Sequence, residues 1–200
     1  MGYYDIDDVL ADSAEIPCKF NHEIPGLGYL ENNPGGSIHV NSQVKLPLWL
    51  ARVLAIIDVA PDVDPITGVP SEENSAFLTL MTPEAFSTKV INAIKTDPVA
   101  LDLHSINPQF YALAIKWIGL FSDQDLAEIV SELLLKRAQV INSHANSITI
   151  SYNNDSINHN NSKSLNNQTV FTLTLDEFEK KIYKQANESY KDIKKWMFQS

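Results

Sequence analysis

Leu46-Pro47-Leu48-Trp49-Leu50-Ala51-Arg52-Val53-Leu54-Ala55-Ile56-Ile57 is the densest apolar run in the first half of the chain. Its Leu and Ala content predicts a helix, with Pro47 in the first turn, where the missing N–H would have no partner anyway. A helix so apolar is predicted to be buried, with strands before and after it folding over it. On its N-terminal side, Ile16–Phe20, Leu27–Glu31 and Ser37–Lys45 read as short strands, and Asn32-Asn33-Pro34-Gly35-Gly36 as a turn. A helix over Asp5–Asp12 precedes them, with Ile6, Val9 and Leu10 at helical spacing and Asp7 and Asp8 as first-turn acids. On the C-terminal side, Asp58 to Ser75 holds three prolines, one glycine and five acids, the composition of a mobile acidic loop. Phe77–Met81 then reads as a strand that rejoins the first sheet and closes a β-rich domain over residues 1–82.

A different regime starts at Thr82-Pro83-Glu84, an N-cap followed by a proline and an acid, with Phe86, Val90, Ile91 and Ile94 as one apolar stripe. Asn107-Pro108 repeats the start signal for a helix over Gln109–Phe121, which is apolar nearly all round and predicted to be central and buried. Ser122-Asp123-Gln124-Asp125 opens the next helix, whose buried face is predicted to include Leu126, Ile129, Val130, Leu133, Leu134, Val140 and Ile141. Between Asn153 and Gln168, ten of sixteen residues are Asn or Ser, a composition that predicts a disordered insert. Thr174-Leu175-Asp176-Glu177 reads as a capping box for a last helix that runs nearly to the C-terminus. The fold class is therefore α+β, mainly α: a small N-terminal β-rich domain, then a C-terminal helical bundle over 83–200.

The 200 residues carry a hydrophobic fraction of 44% and a net charge of −10. The imbalance is concentrated early: residues 1–99 hold 14 acids against 5 bases, whereas from Leu175 onward 6 lysines face 5 acids. An acidic chain repels phosphate, which argues against autonomous nucleic-acid binding and for basic protein partners. No stretch approaches 18 uninterrupted apolar residues, so no membrane-spanning helix is predicted. The opening residues lack the basic and apolar regions of a secretory leader, and an intracellular chain is expected. Cys18 is the sole cysteine, which excludes a disulfide framework and a cysteine-based zinc site.

Catalytic signals are sparse. Asp102-Leu103-His104 could pair a carboxylate with an imidazole, though a turn histidine bonded to local backbone is the simpler reading. His22, His39, His144 and His159 fall at spacings that make no metal cluster. Gly26-Leu27-Gly28-Tyr29-Leu30-Glu31 lacks the third glycine of a dinucleotide fingerprint. No phosphate-binding loop or nucleophile elbow is present, so neither cofactor, metal nor catalytic residue is assigned. Arg137 falls inside the apolar arc of its helix, where it either snorkels to water or pairs with a carboxylate, in this chain or across an interface. In the last helix, Phe178, Ile182, Ala186, Tyr190, Ile193, Trp196 and Met197 share an arc wide enough to serve two neighbours. Its first turns would pack on the bundle, and its end on a partner subunit. Trp49, Trp117, Arg137, Tyr190 and Trp196 are the candidate interface residues.

Several passages together resemble the Psf three family of GINS-complex subunits. They are Tyr3-Tyr4-Asp5-Ile6-Asp7-Asp8-Val9-Leu10, Pro25-Gly26-Leu27-Gly28-Tyr29-Leu30, Leu46-Pro47-Leu48-Trp49-Leu50-Ala51, and Asp97-Pro98-Val99-Ala100-Leu101-Asp102-Leu103-His104. The lysine-rich end, Glu188-Ser189-Tyr190-Lys191-Asp192-Ile193-Lys194-Lys195-Trp196-Met197-Phe198, is similar too. The resemblance implies a non-catalytic, nuclear subunit of a heterotetramer with Psf one, Psf two and Sld five. It further implies that this complex joins the MCM ring and Cdc forty-five in the replicative DNA helicase and links it to DNA polymerase epsilon. Two rival readings are an adaptor in an unrelated intracellular complex and a small hydrolase using Asp102 and His104.

Overall fold

A computed structural model of the chain describes residues 4–59, 75–147 and 170–198. The expected acidic loop falls almost wholly, and the Asn/Ser-rich insert wholly, outside the described residues. The chain forms two compact units, Met1–Ser87 and Thr88–Ser200.

The first unit starts with helix α1 (Ile6–Asp12), capped by the Asp5 carboxylate, which accepts from the Asp7 N–H at 3.2 Å. Strand β1 (Glu15–Phe20) follows and is central in a three-stranded antiparallel sheet, between β2 (Gln43–Pro47) and β5 (Leu78–Leu80). Its alternation is clean, with Ile16, Cys18 and Phe20 all buried, as one covered sheet face requires. The return of the 78–80 segment to the first sheet agrees with the sequence reading, in a register that sets Cys18 opposite Leu80. A separate two-stranded pairing joins β3 (Asp58–Val59) to β4 (Ser75–Ala76).

Three expectations for this unit need correction. Leu27–Glu31 is no strand: Gly28–Glu31 forms a 3-10 turn, ended by Asn32 in the left-handed region at φ 61°. Gly28 donates to the Gly36 carbonyl at 3.0 Å, and a Cβ on Gly28 would stand 2.5 Å from the Asn33 carbonyl oxygen. The Ser37–Lys45 strand is interrupted, because Asn41 sits at φ 69°; only Ile38 bridges to Ile24 before β2 begins at Gln43. The apolar run divides as well. Leu46 is extended and pairs with Ile16, Pro47 is the N-cap, and the helix α2 spans Leu48–Ile56. A residue before proline is pushed out of the helical region, and this drives Leu46 into the strand. Nor is α2 buried all round. Leu48 and Ala51 face the sheet, whereas Trp49, Val53 and Ile56 face solvent.

The first unit ends in a 3-10 turn, Glu84–Phe86, and an extended Ser87 (ψ 153°) separates it from α3 (Thr88–Thr96). The helix expected to start at Thr82 is thereby split, and Phe86 is buried in the first unit rather than in a stripe with Val90 and Ile94.

In the second unit α3 is followed by α4 (Leu103–Ile106), α5 (Phe110–Phe121), α6 (Gln124–Ser147) and a C-terminal helix, α7 (Glu177–Phe198). Ser122 in the left-handed region ends α5, and the Asp123 carboxylate caps α6 by accepting from the Leu126 N–H at 3.0 Å. Helix α6 presents Leu126, Val130, Leu133, Ile141 and Ala145 to the interior and packs against both α5 and α7. Helix α5 is one-sided: Leu113, Ala114 and Trp117 are buried, while Ile115 and Phe121 are largely exposed.

Candidate subunit interface

The start of α7 is fixed by polar groups. The capping box lies two residues later than its sequence reading: Asp176 is the first member, and Glu179 the second. The Asp176 carboxylate accepts from the Phe178 N–H at 3.3 Å, and the Asp176 N–H donates to Glu179 Oε2 at 3.3 Å. The same carboxylate accepts from the Phe110 N–H at 3.1 Å, so one side chain serves the first turns of α5 and α7 together. Burial pushes the Asp176 carboxyl up to about 7, with its N–H partners acting in the opposite direction.

Glu179 is the centre of a buried network. Arg137, only 2% exposed, grips it through two parallel bonds, Nε to Oε1 at 2.7 Å and Nη2 to Oε2 at 2.9 Å. The Tyr111 hydroxyl donates to Oε1 at 2.9 Å, and its pKa is raised by burial and by the Glu179 charge. The remaining Arg137 nitrogen, Nη1, donates to the carbonyls of Pro98, Val99 and Leu101 at 3.1, 3.2 and 2.8 Å. Among the two sequence readings of Arg137, this is the ion pair, and the carboxylate belongs to the same chain. Arg is suited to such a site because its fork matches a carboxylate bidentately and its charge cannot be discharged.

Beyond this clamp the inward row of α7 is Tyr183, Asn187, Tyr190 and Lys194, all buried or half-buried. Asn187 donates to the Ala145 carbonyl at 3.2 Å, and Lys194 lies 5.1 Å from the Tyr190 ring centroid, a cation–π contact. Of the apolar arc of the sequence, Ile182, Ala186 and Tyr190 are half-buried in or beside this row, while the buried Glu179 and Asn187 lie on its inner edge, where the sequence reading placed no polar residue. Phe178 touches the interior only at its edge, with its ring 5.8 Å from that of Tyr111. At the far end Ile193, Trp196, Met197 and Phe198 are exposed, Trp196 by 72% and Phe198 by 80%. Trp49 is exposed on α2 in the first unit. Trp117, placed at an interface by the sequence, is buried within the second unit, its ring 4.4 Å from that of Phe121.

The Asp102–His104 pair does not assemble. Asp102 caps α4, and its two oxygens accept from the Ser105 N–H at 3.1 Å and the Ser105 hydroxyl at 2.5 Å, which holds its pKa low. His104 turns instead to α7, with Nδ1 3.3 Å from the Lys180 ammonium, which itself bonds Glu177 at 2.7 Å. The same Nδ1 lies 3.9 Å from Glu177 Oε1, so His104, Lys180 and Glu177 form one polar cluster at the start of α7. Among the described residues there is no group of three or more His, Cys, Asp or Glu that could hold a metal ion, and no helix long and apolar enough to cross a membrane. Sequence reasoning did not single out Glu179. The available signal was the Asp176-x-x-Glu179 spacing, together with an arginine on an otherwise apolar arc.

A helical unit that clamps its last helix at one end and bares aromatic residues at the other is the build of an assembly subunit. Residues 85–198 match the GINS complex protein helical bundle domain, so the second unit is of that class. Residues 4–56, from α1 to the end of α2, match the PSF3 N-terminal domain. The chain is 58% identical to the DNA replication complex GINS protein PSF3 of Saccharomyces cerevisiae, over 99% of both chains. It is 49% identical to that of Candida glabrata, over 98% of this chain and 99% of the relative, and 35% identical to that of Aspergillus fumigatus, over 98% and 96%. The chain belongs to the PSF3 family, the non-catalytic subunits of the GINS complex in the DNA replication machinery.

Proposed function

We propose that the chain acts as a structural subunit in a nuclear heterotetramer with Psf one, Psf two and Sld five, and that the distal half of α7 is its main adhesive surface. Through that complex it supports the replicative helicase built with the MCM ring and Cdc forty-five, and the link to DNA polymerase epsilon. The observation that carries the adhesive role is the exposure of Ile193, Trp196, Met197 and Phe198 at the end of a helix that is otherwise firmly held. Four large apolar side chains in two turns are costly to leave in water, and aromatic residues dominate interface energies. Tyr190, half-buried next to them, is the second anchor. Trp49 offers a comparable exposed aromatic on the first unit. The net charge of −10 favours basic protein surfaces over nucleic acid as the direct contact. The hydrolase reading has little support, since Asp102 is engaged with Ser105 rather than His104.

The test is co-expression of tagged chain with the three partner subunits, followed by affinity recovery. Trp196→Ala should weaken assembly by about thirtyfold, the equivalent of a hot spot of about 2 kcal/mol. Circular dichroism of the recovered chain should be unchanged, because Trp196 is largely exposed. Full recovery of the complex by both Trp196→Ala and Tyr190→Ala would overturn the assignment.

A further inference from the structure

Helix α1 is inside out. Ala11 is the buried residue of α1, and Asp7 and Asp8 are half-buried, while Ile6 (72% exposed), Val9 and Leu10 point to solvent. Positions 6, 9 and 10 form one stripe at the i, i+3, i+4 spacing that ordinarily faces a core. Helix α2, which packs against α1, does the same: Trp49, Val53 and Ile56 (75% exposed) stand at i, i+4 and i+7 on its outer face. The two helices are held together at the junction, where the Leu48 N–H donates to the Ala14 carbonyl at 2.9 Å. The first unit therefore presents two apolar helix faces on adjoining elements, with its own core already formed by Ile16, Phe20, Leu48 and Leu78.

We propose that these faces are a docking surface for an amphipathic helix of another protein whose apolar stripe is flanked by lysine or arginine. The basic flank follows from the charge of α1. From Tyr4 to Ala14 the chain carries Asp5, Asp7, Asp8 and Asp12 and no base. Arg52 is the one charged residue of α2, so four acids against one base leave the surface net negative by three, an excess that disfavours a second copy of the same surface, nucleic-acid phosphate and anionic lipid alike. The helical form follows from the surface itself, since the ridges of two helices offer a groove that a third helix fills with i, i+3, i+4 and i+7 anchors. Trp49 is the large aromatic of the set and the anchor of the contact.

A photoreactive benzoylphenylalanine placed at Val9, and separately at Val53, in the tagged chain within cells tests this. The expected result is that both positions capture the same segment of another protein, with helical apolar spacing and flanking Lys or Arg. A synthetic peptide of that segment should bind the purified complex about thirtyfold more weakly when Trp49→Ala is present, and about tenfold more weakly with Asp8→Lys. Trp49 is exposed and Asp8 half-buried, so the circular dichroism of each variant complex is compared with wild type, and a weakened affinity counts only where the spectrum is unchanged. The proposal is overturned if the two probes share no product. It is also overturned if they capture a second copy, this chain's own residues 88–198 or a segment without basic flanks, or if Trp49→Ala binds the peptide as wild type does.

Discussion

Replacing Arg137 by methionine keeps the volume and the apolar stem but removes the guanidinium from the Glu179 site. The stranded carboxylate, fully buried, would keep only the Tyr111 hydroxyl and the more distant Asp176 N–H. Removing one partner of a buried ion pair costs about 3–5 kcal/mol, against a total stability of roughly 5–15 kcal/mol for a domain. The carbonyls of Pro98, Val99 and Leu101 would lose a shared donor; water can replace it at the part-buried Val99 and Leu101 bonds, whereas the loss at the buried Pro98 carbonyl adds equally to the Arg137 single and the double variant and cancels in the cycle. Glu179→Met should cost a similar amount, by leaving the cation buried. The double variant removes both charges and leaves two neutral groups, the Tyr111 O–H and the Asp176 N–H, unsatisfied at about 1–3 kcal/mol each. Its cost is then roughly 2–6 kcal/mol, against a sum of roughly 6–10 for the singles, so the cycle should show a coupling of about 4 kcal/mol. Backbone hydrogen exchange of the first three turns of α7, measured in the purified complex, reads this locally. Each single variant should accelerate exchange by about a hundred- to several-thousandfold, at about 1.4 kcal/mol per tenfold. Rates within threefold of wild type, or a double variant whose effect equals the product of the singles, would refute the clamp.

Other predictions are more compact. Asp176 has a folded pKa of about 7, above its unfolded value near 3.9, so its contribution to stability is fully present below about pH 4 and is lost as the pH rises through 7. In thermal melts of the complex between pH 4 and 8, Asp176→Asn should lose that downward slope while retaining the cap; identical profiles would argue against it. Cys18 is buried, and burial raises its thiol to about 11, so a soluble disulfide reagent at pH 8 should label it only on unfolding. Rapid labelling of native complex would contradict the sheet geometry. Asp102→Ala should cost about 1 kcal/mol through loss of the α4 cap, seen as a small drop in melting temperature with assembly intact. Purified complex carrying Asp102→Ala or His104→Ala should match wild type in nucleotide-hydrolysis and nuclease assays, and a loss specific to either would revive a catalytic reading.

Much of the fold was legible because it rests on local rules. Alternation at Ile16, Cys18 and Phe20 marked β1, and Asp123 marked the start of α6. The returning strand at Leu78–Leu80 could be read from its apolar content after an acidic stretch. What failed was decided by single backbone conformations. Asn41 at φ 69° broke a segment whose composition suited a strand, Gly28–Glu31 coiled into a 3-10 turn ended by Asn32 at φ 61°, and Pro47 divided a run that its apolar content alone could not divide. Burial was harder to read than secondary structure. The outward faces of α1 and α2 violate the rule that apolar stripes point inward, and nothing in one chain's periodicity says which side a partner covers. On α7 the wheel left out the buried Glu179 and Asn187, because an apolar count cannot see polar residues that are paired inside. Arg137 was found from its position, but its carboxylate lies 42 residues away, a distance no local pattern spans.

The uneven anchoring of α7 gives that helix the mechanics of a cantilever. Its root is fixed by Asp176, by Glu179 and by the bond from Asn187 to Ala145, while the turns after Tyr190 expose Ile193, Trp196, Met197 and Phe198. A helix end without tertiary support frays, since helical turns alone are only marginally stable in water. The distal turns of the free subunit should therefore exchange their amide protons orders of magnitude faster than the root. Binding a partner would add order there instead of merely covering a preformed face. On the proposal that these turns are the adhesive surface, part of the binding energy goes into completing the helix, and assembly and the last stage of this subunit's folding become one event.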